Sequence, residues 1–370
     1  LVIHTTLLPF IRAAGEMKTK PTQHSVMRLR EIGLEPDILV CRTENGNHLN
    51  HKLKKKLALF CNVDSNQVFE SPDVETIYEI PLVLNKQDFD RTVITLLGLS
   101  GNLKHKNINV LKLAINKFTN PKDEITIAMC GKYNGLHDAY KSILEAFIHS
   151  GIYNNARVNV VWIDTEKLEK NANLLDKFKN VDGILIPGGF GNRGIEGKIL
   201  CAKYARENNI PFLGICLGMQ CAVIDFARNV CNLKNANSSE FKKKIQYPVI
   251  DLMPKQKKIK NKGATMRLGS YECIVDKKTN AYRAYKKQNI NERHRHRYEV
   301  NNKFVRSLTN KGLVVSGRNK KLHLVEIVEI ASHPWFVGVQ FHPELKSRIL
   351  NTHPLFIDFI SASIKHRNDK

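Results

Sequence analysis

The sequence predicts an α/β protein whose larger, C-terminal part is a doubly wound, mostly parallel sheet. Three observations predict it. Short apolar runs alternate with amphipathic helices from about Thr126 to Arg228, the pattern of strands covered by helices on both faces. The run Pro211-Phe212-Leu213-Gly214-Ile215 enters Cys216 and continues through Leu217 and Gly218 into a helical pattern. This places a glycine-flanked cysteine on a sharp strand-to-helix turn, a nucleophile elbow. Finally, 370 residues with 42% hydrophobic content suffice for two or three domains.

Taken in order, Leu1-Val2-Ile3-His4 reads as the end of a strand entered from upstream, and without an initiator methionine the chain reads as a fragment. Residues 102–120 read as a helical linker, which Pro121-Lys122-Asp123-Glu124 punctuates. The expected organisation is therefore a first part over 1–101, a linker over 102–123 and a second domain over 124–370. In that domain, strands are expected at 125–130, 158–163, 183–187 and 211–215, with helices at 138–149, 197–207 and 217–228. After Asn229 the pattern turns to strands and hairpins, at 271–276, 313–317, 324–330 and 335–341, before a last helix over 354–366. Active sites of such sheets lie at the carboxyl ends of strands, where Cys216 falls.

The chemistry-bearing residues follow the same order. Gly214 and Gly218 remove the Cβ atoms that a sharp turn cannot hold, and the thiol ends at a helix N-terminus, whose dipole favours an anion. Val339-Gln340-Phe341-His342-Pro343-Glu344 offers an imidazole with a carboxylate two residues on. Cys216, His342 and Glu344 fit the roles of nucleophile, base and orienter. Of eight cysteines, the other seven read as inert thiols, and none forms a Cys-x-x-Cys pair of the zinc or redox kind. The glycine-rich stretch 188–197 is no P-loop, because Lys198 is followed by Ile199 rather than Ser or Thr. It reads as an oxyanion loop.

Composition excludes several classes. No apolar run reaches membrane-spanning length and no leader pattern opens the chain, so a cytoplasmic protein without membrane partners is expected. The formal net charge of +23 invites a nucleic-acid reading, yet the basic residues are mostly Lys scattered among Asn and Ile rather than Arg interleaved with aromatics. No nucleic-acid partner is expected. The run 255–262 reads as a solvated basic loop, and Lys52 to Lys56 as one that could serve a polyphosphate.

Pro187-Gly188-Gly189-Phe190-Gly191, Gly214-Ile215-Cys216-Leu217-Gly218 and Phe341-His342-Pro343-Glu344 resemble, in sequence and in order, the three motifs of class I glutamine amidotransferases. Within that superfamily, residues 18–26, 235–241, 265–269 and 292–301 resemble the CTP synthases along the whole chain. The resemblance implies the C-terminal part of a P-loop-like amidoligase domain followed by a glutaminase domain. It implies ATP-dependent amination of UTP to CTP, a C–N ligase reaction that ends pyrimidine nucleotide synthesis, using ammonia from glutamine. The alternative is the glutaminase of another class I amidotransferase.

The resemblance also assigns residues. Cys216, His342 and Glu344 are the catalytic triad; Gly189, Leu217, Gly218, Met219, Gln220, Glu240 and Arg297 contact glutamine. Lys18, Lys20, Gln23 and Lys56 contact UTP or the feedback inhibitor CTP, and Arg42 with Asp73-Val74 lines the ATP pocket. Read without the family, the Arg293-His294-Arg295-His296-Arg297 cluster is a solvated basic strand, and the N-terminal residues are ordinary surface. Mg²⁺ is the implied metal, with its carboxylate ligands expected upstream and none in this chain. GTP is implied as an activator acting through residues 251–266, and a homotetramer as the full-length assembly.

Overall fold

The computed structural model describes residues 1–44, 46–99, 106–132, 137–242, 244–253 and 266–370, without the side chains of residues 106, 107, 137 and 172. It divides into two compact units, Leu1–Ile115 and Asn116–Lys370. The helix Lys106–Thr119 runs across that division. The basic run 255–262 lies outside the described residues.

The first unit carries three parallel strands in the order Ile3–Leu8, Ile38–Thr43, Val68–Pro72. Leu1-Val2-Ile3-His4 therefore opens a strand rather than ending one. Alternation along the central strand sends Leu39 and Cys41 to one core with Leu8, Val26 and Leu57, and Ile38 and Val40 to the other with Phe69. Arg42 stands near the carboxyl end of the central strand, and Asp73 and Lys18 in the segments that follow Val68–Pro72 and Glu16–Met17.

The second unit is built on a sheet of nine strands among the described residues. Five are parallel, in the order Phe336–Val339, Phe212–Ile215, Gly183–Ile186, Asp123–Gly131, Ala156–Asp164. The other four extend the sheet antiparallel from Phe336–Val339 through Leu324–Ile330, Leu313–Asn319 and Arg267–Val275 to Asn289–His296. The central strands alternate between two cores. Phe212, Ile184, Ile186 and Phe336 face one with helices Ile195–Glu207 and Leu217–Asn229; Leu213, Ile215, Leu185, Val337 and Val339 face the other with Lys141–Asn154 and Pro354–Asn368. Phe212 and Phe336 stack at 4.2 Å between adjacent strands. Burial on both faces explains why these strands read as continuous apolar runs.

Several expected bounds shift. The 138–149 helix begins as a 3-10 turn at His137–Tyr140 and becomes α-helical only over Lys141–Asn154. The expected 335–341 strand runs only over Phe336–Val339, with Gln340 still bonded through its amide to Glu326 O on the neighbouring strand. A small second sheet of Ala236–Ser238, Tyr247–Leu252 and Tyr298–Val300 was not legible in the pattern.

The arginine-histidine cluster is sorted by strand alternation. Arg293 and Arg295 are exposed and His294 and His296 buried, so this is not a uniformly solvated strand. Burial first, then the neighbouring Arg267, lowers His294 to about 2 and His296 to about 3, leaving both rings neutral. Buried Arg267 pairs with buried Glu326 at 2.7 Å.

Glu299, also buried and facing Arg267, Glu326 and Asp251, is pushed up to about 8 by burial against the pull of Arg267. A carboxyl that keeps its proton to higher pH when folded than when unfolded makes stability fall as pH rises, here between about 4.5 and about 8. Glu299→Gln keeps the shape without the charge. It is expected to leave the melting temperature near pH 4 unchanged and to raise stability above pH 8 by up to about 5 kcal/mol. Thermal denaturation across that range checks this, and an unaltered pH slope would contradict it.

Candidate active site

Cys216 occupies the N-cap of Leu217–Asn229 with φ 50° and ψ −99°. This left-handed φ is costly for a residue with a side chain and is held by its neighbours. The Cys216 amide donates to Val339 O at 2.6 Å, tying the turn to the adjacent parallel strand. The flanking glycines are sterically required. A Cβ on Gly218 would lie 2.2 Å from Ile186 O, and one on Gly214 2.8 Å from the Gly218 carbonyl carbon.

The parallel register that pairs Val339 with Ile215 places residues 216 and 340 level at the carboxyl end of the sheet. His342 follows two residues on. Its amide donates to Arg293 O at 2.8 Å, and its Nδ1 and Glu344 Oε1 are 2.7 Å apart. A Cβ on Gly188 would lie 2.7 Å from His342 Cε1 and 3.6 Å from Cys216 Cβ, so cysteine and imidazole border the same glycine. His342 Nε2 meets no partner at full hydrogen-bond geometry among the described residues, although the Cys216 sulfur is near enough to act on the ring. Burial works against a charged imidazole here, yet Cys216 and Glu344 together outweigh it and push His342 up to about 10. His342 thus favours its imidazolium form near neutral pH, beside Cys216.

The other residues assigned to glutamine divide by what their side chains can reach. Leu217 is the first residue of the helix, where the N–H has no intrahelical partner, and its Cδ2 would lie 3.3 Å from a Cβ on Gly189. The Leu217 side chain therefore packs against Gly189, and its own N–H heads the helix just after Cys216. Met219 is fully buried and packs under Gly338, so its side chain belongs to the core rather than to a ligand contact. Gln220 Nε2 donates to Tyr298 O at 2.9 Å and to Gln340 Oε1 at 3.2 Å.

The small second sheet carries the remaining two. Glu240 follows Ser238, whose hydroxyl accepts from the Glu240 amide at 3.2 Å, and Glu240 Oε1 accepts from Gly191 N at 3.1 Å. Arg297, half-buried, precedes Tyr298. Burial raises the Tyr298 phenol, with Glu240 adding to the rise and Arg297 opposing it, which brings an anion and a cation to one tyrosine beside the elbow. Gln340 was missed by sequence reasoning, although it stands two residues before His342. Its Nε2 donates to Cys216 Sγ at 3.5 Å.

In the first unit, Lys18 pairs with Glu16, whose carboxyl is lowered first by that hydrogen bond and further by Lys56. Lys56 thus lies near enough to act on the carboxylate that Lys18 pairs with. Lys20 begins the helix Lys20–Glu31, and Gln23 Nε2 donates to Thr19 Oγ1 at 3.1 Å. Arg42 pairs with Asp73 at 3.0 Å, next to half-buried Val74. Of the segment expected to respond to GTP, residues 254–265 lie outside the described residues. No helix among the described residues is long and apolar enough to cross a membrane.

Comparison with known proteins agrees with this geometry. The family profile "Glutamine amidotransferase class-I" matches residues 136–362 and "CTP synthase N-terminus" matches residues 1–99. The chain is 54% identical to a CTP synthase of Chloroherpeton thalassium over 99% of its own length and 66% of that relative. It is 51% identical to that of Syntrophus aciditrophicus over 100% and 68%. The chain thus spans about two thirds of the length of these relatives. Among solved structures, the glutaminase domain of Trypanosoma brucei CTPS with bound acivicin superposes with a TM-score of 0.61 at 39% identity, over 65% of this chain and 94% of that one.

Proposed function

The chain belongs to the CTP synthase family, and on that premise we propose that it is a glutamine-hydrolysing enzyme of ATP-dependent UTP amination. The observation that carries the glutaminase half is the grouping of Cys216, His342 and Glu344 at the carboxyl end of the parallel strands, with His342 Nδ1 bonded to Glu344 at 2.7 Å. The Cys216 sulfur attacks the side-chain amide carbon of glutamine, and the N–H groups of Gly189 and Leu217 hold the developing oxyanion. His342 gives its proton to the leaving ammonia. It then takes a proton from the water that opens the thioester, releasing glutamate and the thiol. Glu344 keeps the ring oriented through Nδ1. Glu240 suits the substrate's ammonium, and Arg297, in contrast to exposed Arg293 and Arg295, suits its carboxylate.

For the amination half, Lys18, Lys20, Gln23 and Lys56 are the residues that would meet the UTP or CTP triphosphate, the lysines as mobile point charges, and Arg42 with Val74 the ATP. That Lys18 and Lys56 both act on Glu16 supports this. GTP activation, feedback by CTP, a homotetramer and a cytoplasmic setting belong to the same reading. Magnesium is the metal the reaction class implies. No group of three or more His, Cys, Asp or Glu among the described residues is placed to hold one, so no step is assigned to it here.

Labelling with a glutamine-like electrophile, 6-diazo-5-oxo-norleucine or acivicin, tests the site. Burial pushes Cys41 and Cys221 up to about 12 and raises Cys61, Cys130, Cys231 and Cys273, so these stay thiols near neutral pH and react slowly. Peptide mass mapping is expected to find one modification, on Cys216, in step with the loss of glutamate release. Modification of Cys61 or Cys221 with Cys216 intact would refute the assignment.

A further inference from the structure

We propose that Gln340 is a further catalytic residue of the glutaminase site: its side-chain amide donates a hydrogen bond to the Cys216 sulfur and holds it as the attacking anion. The proposal rests on the reading of Cys216 as nucleophile. Three contacts dictate the direction of the donor. Tyr298 O can only accept, so Gln220 must turn its NH₂ toward it, at 2.9 Å. The same NH₂ reaches Gln340 at 3.2 Å, which obliges Gln340 to present its oxygen there. The NH₂ of Gln340 is then left to point at Cys216 Sγ, 3.5 Å away. Flipping either amide would set two donors or two acceptors against each other, so chemistry fixes an orientation that electron density alone rarely shows.

Burial makes this arrangement consequential. Gln340 is fully buried and Gln220 nearly so, and a donor aimed at an anion in such surroundings stabilises it more than the same contact in water. The backbone reinforces the aim, because the Gln340 amide donates to Glu326 O and the Cys216 amide to Val339 O, at 2.8 and 2.6 Å. His342, with Glu344 behind it, is the charged partner of the sulfur; Gln340 is a neutral one. It supports the sulfur's charge before attack and again as the thioester opens and the sulfur leaves, alongside the imidazolium.

The test uses the intact chain, Gln340→Met to remove the donor at similar volume, and Gln340→Glu to put an acceptor in its place. The rate of iodoacetamide alkylation at Cys216, followed by peptide mapping, is measured against pH. In both variants the pH of half-maximal rate is expected to move upward, by about one unit in Gln340→Met and more in Gln340→Glu. The kcat for glutamine should fall about tenfold near neutral pH and recover as pH rises, with KM little changed. A merely structural role would lower kcat equally at every pH, and superimposable alkylation profiles in folded variants would overturn the proposal.

A measurement on the unmutated chain covers the case in which the variants do not fold. With glutamine side chains labelled with ¹⁵N, one amide is expected to titrate together with Cys216 and to lose that titration in Cys216→Ala. No such amide would also overturn the proposal. Failure of the unmutated chain to hydrolyse glutamine, with these sulfur signatures present, would instead count against the proposed substrate.

Discussion

Cys216→Ala is expected to lower glutamine hydrolysis by roughly 10⁴-fold or more, because no other group at the elbow can form the thioester. The fold should survive. The turn is shaped by Gly214 and Gly218 and by the hydrogen bond from residue 216 N to Val339 O, none of which uses the sulfur. The side chain is small and 4% exposed, so its loss should cost about 1 kcal/mol of stability. Glutamate release and a thermal melt on the same preparation check both halves. A variant that is stable yet still hydrolyses glutamine at a tenth of the normal rate would move the nucleophile elsewhere.

His342→Ala should cost about 10³-fold, and Glu344→Gln only about 10- to 100-fold. The imidazole handles a proton in both half-reactions, whereas the carboxylate orients it and stabilises its charge. The raised His342 value of about 10 adds a linked expectation. A histidine whose folded value exceeds its unfolded one contributes stability that is complete below about 6.5 and lost as pH rises toward about 10. His342→Ala should therefore destabilise the protein most at and below about pH 6.5 and least in strong alkali. Steady-state rates and melts across that range are the measurements; an unimpaired His342→Ala enzyme would leave the mechanism without its base.

Much of this site was legible in one dimension because its demands are local. Gly-x-Cys-x-Gly after an apolar run announces a turn that only those residues can make, and His-x-Glu puts base and orienter within two residues. Glu240 and Arg297 were legible only through resemblance. Nothing in their own surroundings says that Ala236–Ser238 and Tyr298–Val300 flank Tyr247–Leu252 in one small sheet, which is what carries both toward the elbow. For Met219 the structure shows only that helical rotation turns its side chain into the core under Gly338.

By itself, the sequence determined the α/β class, the glycine-flanked turn at Cys216, the His342-Pro343-Glu344 pair proposed as base and orienter, and the order of the elements, since each follows from periodicity or from a short motif with a steric reason. Only the tertiary structure decided which arginine of the basic run sits inward, that His294 and His296 are buried and neutral, that Lys18 pairs with Glu16 within reach of Lys56, and that Gln340 faces Cys216. These depend on strand register and on burial, which join residues far apart in the chain: residue 340 meets residue 216 because Val339 pairs with Ile215 in adjacent parallel strands, and a pairing between distant segments leaves no local trace in either of them.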